Sequence, residues 1–534
     1  MRSESILFAS GLLGMAAAGK PDPKTLPLPP MGFNNWSRFM TAINESIFVD
    51  AAAAMSTNGL LAAGYNRINL DDAWSTTQRN STGSMVWDTA KFPQGLPWLT
   101  QHLKSKGFVP GIYSDAGTLS CAANYPGTLH HESQDLHDFY GWGFEYLKLD
   151  GCHVADFYSV YGFWLDLLAK FNKDKPSHKR MVFSDSSPAY AAMNPSDLQA
   201  WYGRMIQAAA GGQLARHSND IATYSSSPAW GSVMTNYGFQ VRTTRFQLPG
   251  YFNDPDFLIA DHPGLTLEEK KSQFALWTSF SAPLIISANI PHLTEEELAF
   301  LRNKDLIAVN QDRLVQQASL ASRDATWDVL TKSLANGDRL LTVLNKGSTA
   351  ANLTVPWARI GLHPHKNATL SVRDLWTGET SQVKASWGGI TAKTVPAHGT
   401  AVFRISGHSL HTVPTGIILN TWSLHCLADS ASGATTWATC DGSDGQSWAF
   451  DKSGRVSSLL NPGSCLVSNG TVSTSKTGCA SNNWKFPVSG NIVHKKSGQC
   501  INENEDASTS AVDCGNVENR QVFGVPVGVE IDYS

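Results

Sequence analysis

A (β/α)8 barrel followed by a small antiparallel β domain and a threefold-repeated β unit is the fold this sequence predicts, on three observations. Between Pro30 and Asn289, short apolar strand-like runs alternate with amphipathic helical stretches in eight units. Between Ala318 and Ser406 the helical periodicity gives way to β-rich pieces and turns. In the tail, Cys426 and Cys440, Cys465 and Cys479, and Cys500 and Cys514 form three pairs of identical spacing. With 534 residues, 42% of them hydrophobic, the chain has length for about three domains.

The barrel strands are expected at Met31 to Trp36, Tyr65 to Asp71, Phe108 to Ser114, Phe144 to Leu149, Met181 to Ser184, a weakly marked sixth near Ala215, Tyr251 to Leu258, and Ala282 to Ser287. Phe48 to Asn58, Leu96 to Lys106 and Phe157 to Phe171 are amphipathic and read as intervening helices. A doubly wound nucleotide-binding sheet is the competing architecture, but no Gly-rich phosphate loop follows any of these strands. In the second region, Arg339 to Leu344, Thr369 to Leu375 and Thr400 to Ile405 read as antiparallel strands. Each cysteine pair of the tail is followed by Gln-x-Trp or a degenerate form, at Gln446 to Trp448, Asn482 to Trp484 and Gln521 to Phe523. Three such tripeptides in register with three local bridges, each stabilising by about 3 kcal/mol, mark a threefold β structure. The linker around His408 to Pro414 reads as a boundary, so the tail is expected to fold around its own core and to be dispensable for action on small molecules.

The 41 basic and 45 acidic residues give a net charge of -4 without long runs of either sign, which points away from nucleic acid and from a charged membrane surface. Residues 1–18 carry Arg2, an apolar run and small residues at the end, the pattern of a secretion signal, and no later stretch reads as a membrane span. A secreted, extracellular glycoprotein is therefore expected, with disulfides and with glycan acceptors at Asn44, Asn80, Asn352, Asn367 and Asn469. Asn35-Trp-Ser also fits the acceptor motif, but it lies where the functional pocket is expected.

Phe144-Glu-Tyr-Leu-Lys-Leu-Asp150-Gly-Cys152 is the most informative stretch. Side chains alternate along a strand, so Lys148 and Asp150 share a face at its carboxyl end. A carboxylate beside an ammonium stays ionised and serves as a nucleophile, whereas the plainer reading makes Asp150-Gly151 a turn. Asp71-Asp72 ends the second strand, Tyr113 and Asp115 the third, and Asp254 and Asp256 the seventh, with Arg216-His-Ser-Asn-Asp220 between. Acids, a lysine, an arginine and aromatics thus converge where barrel strands end, which is where the sites of such barrels lie.

In this order, Pro30-Met-Gly-Phe-Asn-Asn-Trp36, Asn69-Leu-Asp-Asp72, Gly111-Ile-Tyr113, Tyr146-Leu-Lys-Leu-Asp-Gly-Cys152, Asn253-Asp-Pro-Asp256 and Ala282-Pro-Leu-Ile-Ile-Ser287 resemble glycoside hydrolase family 27, the α-galactosidase and α-N-acetylgalactosaminidase clan. The resemblance spans roughly Pro30 to Ser406, and the tail resembles the ricin-type β-trefoil lectin module carried by secreted fungal members. It implies a (β/α)8 TIM barrel over 28–315, an antiparallel β-sandwich over 316–407 and a β-trefoil over 412–534. The implied activity is retaining, exo-acting hydrolysis of terminal non-reducing α-D-galactosyl residues of oligosaccharides, galactomannan-type polysaccharides or glycoconjugates, with no metal or other cofactor. By the same resemblance Asp150 is the nucleophile and Asp220 the general acid/base, two carboxyl groups that retention sets about 5 to 5.5 Å apart. Lys148 is expected to keep Asp150 charged, and the charge of Asp150 to raise the proton affinity of Asp220. Asp71, Asp72, Lys148 and Arg216 match binders of sugar hydroxyls, Trp36 packs on the apolar side of the ring, and Tyr113, Tyr190 and Asp256 complete the wall. Cys121 and Cys152 match a family bridge worth about 3 to 4 kcal/mol.

The sequence departs from the family pattern in three places. Ser186 and Ala189 stand where strict α-galactosidases carry Glu and Leu, a smaller pair that resembles the α-N-acetylgalactosaminidase pattern and leaves space for a 2-acetamido group unless neighbours refill it. Thr41 and Ala73 replace the two cysteines that tie the first loop to the second strand in many relatives, so that loop is expected to be more mobile. The trefoil repeats are short between their cysteines, where lectin relatives carry sugar ligands, which leaves a polysaccharide-binding module and a purely structural tail both open. The substrates implied are α-galactosides or α-GalNAc glycosides. A β-L-arabinopyranosidase and a non-catalytic sugar-binding barrel are the alternatives, the second opposed by the presence of both Asp150 and Asp220.

Overall fold

Eight short parallel strands surround the centre of the first domain: β1 (Met31–Asn34), β2 (Arg67–Leu70), β3 (Val109–Asp115), β4 (Tyr146–Asp150), β5 (Val182–Asp185), β6 (Leu214–Arg216), β7 (Phe252–Asp254) and β8 (Leu284–Ile286). They are hydrogen-bonded in the order β7-β6-β5-β4-β3-β2-β1-β8. Leu258 closes the ring, because its N–H donates to Ile285 and its carbonyl accepts from Ser287. The computed structural model from which this architecture is described covers residues 21–192, 198–226, 228–407, 410–515 and 517–533. The signal-like segment over 1–18 lies outside the described residues.

The helices of this domain are α1 (Trp36–Phe39), α2 (Glu45–Thr57), α3 (Leu96–Ser105), α4 (Glu132–Gly141), α5 (Phe157–Asn172), α6 (Ser187–Ala192), α7 (Leu198–Gly211), α8 (Ala229–Gln240), α9 (Leu267–Ser279), α10 (Glu295–Leu301) and α11 (Lys304–Asn310). Their starts are marked locally. Asn44 caps α2 by accepting from Ile47, Asp156 caps α5 by accepting from Ser159, and Thr266 with Glu269 forms a reciprocal capping box on α9. Several strands are shorter than the sequence predicts, and at two of them the physical reason is visible. β1 stops at Asn34 because the Asn34 carboxamide oxygen accepts from the N–H of Trp36 and turns the chain into α1. β7 stops at Asp254 because Pro255 has no N–H to give and Asp256 takes a positive φ of 78°.

The second domain has a six-stranded antiparallel sheet, order β14-β13-β16-β11-β10-β9, built from β9 (Ser319–Arg323), β10 (Trp327–Ser333), β11 (Arg339–Asn345), β13 (Thr369–Asp374), β14 (Thr380–Lys384) and β16 (Thr400–Ser406). The pair β12 (Ala351–Pro356) and β15 (Gly389–Val395) covers one face and buries Val343, Trp357, Ile390 and Ile405 with it. The other face lies on α9, where Ser279 bonds Thr342 at 2.7 Å, and on α8, where the Tyr237 hydroxyl donates to the buried Asp328 at 2.6 Å.

Hydrogen bonds recur between the repeats of the tail. Trp448 donates its indole N–H to Leu427 at 2.9 Å and Trp484 to Leu466 at 3.2 Å, each acceptor being the residue after a paired cysteine. Gln446 bridges Thr439 and Asp441 around Cys440, and Gln521 bridges Asp513 and Gly515 around Cys514. All four cysteine pairs are bonded: Cys121–Cys152, Cys426–Cys440, Cys465–Cys479 and Cys500–Cys514. The repeats bury Leu427, Leu466, Ile501, Trp448, Trp484 and Phe523 in a core of their own. A second cluster joins trefoil residues Val517 and Val522 to barrel residues Trp201, Tyr202, Met205 and Phe246, a contact the linker reading did not anticipate.

Candidate active site

Asp150 closes β4 with Lys148 two residues before it on the same face, as the alternation of the strand requires. Its Oδ1 accepts from the Tyr190 hydroxyl at 2.5 Å, and its Oδ2 lies 3.8 Å from the Lys148 ammonium. Lys148 is closer to Asp71, whose Oδ2 it reaches at 2.9 Å, and the same oxygen accepts from Asn34 at 2.8 Å. The ammonium also faces the rings of Tyr113 and Phe257, with centroids at 5.0 and 5.5 Å. One buried lysine thus links the end of β2 to the end of β4.

Asp72 is buried and accepts from the N–H groups of Ala73 and Ala122, so the second acid of the pair fastens β2 to the loop after β3. In that loop the Cys121–Cys152 bridge spans to the residue just beyond Gly151, and the Tyr190 hydroxyl lies 3.3 and 3.2 Å from its two sulfurs. On the opposite side, Arg216 at the end of β6 reaches Asp256 at 2.8 Å and Asp220 at 3.1 Å. Asp256 is buried and also accepts from the N–H of Ile221, which fixes the start of the segment after Asp220. Asp220 itself is the open member, with 66% of its side chain exposed against 17% for Asp150. Trp36 is half-buried at the start of α1, Tyr113 and Ser186 are buried, and Ala189 and Tyr190 are half-buried on α6. The Ser186 hydroxyl has no hydrogen-bond partner among the described residues.

All twelve residues singled out for the site lie on β-strand ends or the segments following them. Others belong with them. Asn35 accepts from the N–H of Asp71, so with Asn34 it orients the first acid; adjacent buried amides at a strand end were the available signal. This engagement, with Asn35 wholly buried, also removes it as a glycan acceptor, whereas Asn44, Asn80, Asn352, Asn367 and Asn469 are all exposed. Asp115 accepts from Gly117 at 2.7 Å and from Cys152 at 2.8 Å and holds the turn behind Asp150. At Ala73 the chain takes a φ of 71° and its carbonyl accepts from Lys91 at 2.6 Å.

A family profile described as Alpha galactosidase A matches residues 28–312, a second for the alpha galactosidase C-terminal beta sandwich domain matches 324–405, and a third for the ricin-type beta-trefoil lectin domain matches 414–523. The chain belongs to glycoside hydrolase family 27. It is 46% identical to alpha-galactosidase A of Aspergillus niger over 95% of this chain and 93% of that one. It is 34% identical to alpha-galactosidase 2 of Arabidopsis thaliana, over 66% of this chain and 83% of the relative. Among solved structures, alpha-galactosidase I of Mortierella vinacea superposes with a TM-score of 0.62 at 25% identity, covering 73% of this chain and 100% of that one.

The charges of this family 27 site are strongly coupled. Burial raises the pKa of Asp150 against the pull of Lys148, and the charge of Asp220 adds to the rise. Burial also pushes Asp220 up, but Arg216 and Lys148 outweigh it and hold the carboxyl below its usual range. Asp220 feels the stronger pull because Arg216 lies 3.1 Å from it, whereas Lys148 lies 3.8 Å from Asp150. Burial pushes Asp256 up to about 7 despite Arg216, and pushes Asp115 to about 7 with help from the charge of Asp150.

Proposed function

We propose that this chain is a retaining exo-α-galactosidase in which Asp150 attacks the anomeric carbon and Asp220 is the general acid/base. The observation that carries the reading is the pairing of a recessed Asp150, held on one oxygen by Tyr190, with an open Asp220 held by Arg216. The names of the relatives agree with it.

Tyr190 engages Oδ1 of Asp150 and leaves Oδ2 to react. A galactosyl ring packed on Trp36 displaces water from Asp220, which disfavours its anion, so that Asp220 takes up a proton while Asp150 stays ionised beside Lys148. Oδ2 then bonds the anomeric carbon as the glycosidic bond breaks, and Asp220 gives its proton to the leaving oxygen. In the second step a water gives a proton to Asp220, its oxygen bonds the anomeric carbon, and Asp150 departs as carboxylate. Asp71, Asp72, Lys148 and Arg216 are preorganised by one another to bond the sugar hydroxyls, which limits their reorganisation during reaction.

A second substrate is favoured by one observation: the buried hydroxyl of Ser186 has no partner among the described residues, and Ala189 beside it is small. We propose that a 2-acetamido group fits there, so α-GalNAc glycosides are hydrolysed beside α-galactosides. Assays on the nitrophenyl α-galactoside, α-N-acetylgalactosaminide and β-L-arabinopyranoside test both readings. The α-galactoside should turn over fastest, with measurable turnover of the α-N-acetylgalactosaminide. Exchange of Ser186 and Ala189 for Glu and Leu should suppress the latter by about 1 to 3 kcal/mol in transition-state binding. Absence of α-galactoside hydrolysis would refute the first reading, and a preference unaltered by the double exchange would refute the second.

Secretion is part of the proposal. It is supported by four disulfides, which persist in oxidising compartments, and by five exposed glycan acceptor motifs. Among the described residues no helix is long and apolar enough to cross a membrane.

A further inference from the structure

The trefoil meets the barrel at the helix that stands behind the substrate wall. Arg245 is 3% exposed and lies just before β7, yet its guanidinium donates to three trefoil carbonyls: those of Pro487, Gly490 and Phe523. In return the Tyr533 hydroxyl donates to the carbonyl of Arg245 at 2.8 Å. Around this polar centre Val517 and Val522 pack with Tyr202, Met205 and Phe246. Gly490 lets the surfaces approach, since a Cβ there would lie 3.1 Å from the Tyr202 ring and 2.6 Å from Val522.

The adjoining face of α7, to which Trp201 of the same cluster also belongs, reaches the site. Trp201 donates its indole N–H to the carbonyl of His217 at 2.8 Å, within the segment that runs from Arg216 to Asp220. Arg204 donates to the carbonyl of Ser187 at 3.1 Å, at the start of the helix that bears Ala189 and Tyr190. One helix therefore both packs against the trefoil and hydrogen-bonds the segments that carry Asp220 and Tyr190. The trefoil acids that follow the first and third cysteine pairs' leading cysteines are engaged within the tail. Asp429 accepts from Thr474 and Asn461, and Glu503 accepts from Asn420, Ser423 and His425.

We propose that the trefoil is a brace for the active-site wall formed by α6, α7 and the Arg216–Asp220 segment, with Arg245 as the positioning residue that fixes it. The idea rests on the assignment of Asp220 only for its kinetic signature, since the brace itself is read by backbone exchange. The interaction is a packed one, so its loosening is transmitted as a displacement of α7 and not as loss of a group that touches substrate.

The test uses the full-length protein in four forms: native, Arg245→Met, Arg245→Lys and Val522→Ala, with Val472→Ala in the trefoil core away from the barrel as control. Hydrogen exchange should quicken across 198–211 and 214–220 in Arg245→Met, less in Arg245→Lys and Val522→Ala, and not in Val472→Ala. Well below the unfolding temperature, kcat/KM for a disaccharide substrate should fall about tenfold in Arg245→Met and less for an activated aryl galactoside, the signature of a misaligned acid. Val522→Ala thins the contact without stranding three carbonyls, so it serves if Arg245→Met does not fold. Unchanged exchange in α7 for every interface variant that folds would overturn the proposal, as would an equal kinetic loss in Val472→Ala. Quickened exchange with equal losses for both leaving groups would leave the brace standing and count against the acid/base role of Asp220.

Discussion

Asp220 stands at the solvent edge of the site with Arg216 against one oxygen, so on the proposed roles its removal takes away the proton donor and leaves Asp150 in place. Asp220→Ala should cost about 100-fold or more on substrates with poor leaving groups and far less on activated aryl galactosides in the first step, with azide restoring turnover of the latter. Equal losses across a leaving-group series would contradict the role. Asp185 gives a pH prediction of a different kind. It is wholly buried, its Oδ2 has no partner among the described residues, and burial pushes its pKa from 3.8 up to about 7. A carboxyl raised in the fold contributes stability below its unfolded pKa and loses it as pH rises through the folded value. Its contribution should therefore decline between about pH 4 and 7, and Asp185→Asn should remove that component of the stability profile, up to about 4 kcal/mol. Urea midpoints across that range check it, and an unflattened profile would show that Asp185 is not the group responsible. Lys148 and Asp150 were legible in the sequence because strand alternation dictates a shared face. The closer pairing of Lys148 with Asp71 was not, since it joins strands whose register no local pattern encodes.

At the scale of elements, the strands with strong apolar runs were plainly readable, whereas the sixth was only weakly marked, near Ala215. β6 has three residues, follows two glycines and a glutamine, and owes its place to parallel pairing with β5 and β7. The joint between α8 and β10 was equally silent, because it is made by polar groups far apart in the chain. There Asp328 is wholly buried, held by Arg323 at 2.7 Å, Lys346 at 2.9 Å and the Tyr237 hydroxyl. Although burial opposes it, Arg323 leads the groups that hold this carboxyl below its usual range. Its contribution is therefore present above about pH 4 and lost as pH falls through the depressed folded value. Asp328→Ala should destabilise the barrel–sandwich unit by about 3 kcal/mol near neutral pH, with a smaller penalty in strong acid. A denaturation midpoint unchanged at pH 6 would contradict that joint.

For the molecule as a whole, three domains could be read from three different periodicities: alternating β and α units, antiparallel strands, and cysteine pairs in register. The contact between the first and third could not. Arg245 acts on backbone carbonyls, and carbonyls leave no mark in a sequence. The trefoil has its own core, as the repeats imply, and it also shares an apolar cluster with α7, so a separate core does not mean separation from the barrel. The five exposed acceptor asparagines are distributed over barrel, sandwich and trefoil, and Asn35, which has the same motif, is buried under Asp71. Motif and compartment alone would not have separated them.

Covalent capture of the sugar tests the assignment of Asp150 most directly. A slow 2-fluoro or 5-fluoro galactosyl substrate should accumulate one sugar per chain, and the labelled peptide should contain Tyr146–Asp150 with the ester on Asp150. Asp150→Asn should give no label, the amide being too poor a nucleophile to form the ester. Label on a peptide lacking Asp150, or product of inverted configuration with no captured sugar, would contradict the account.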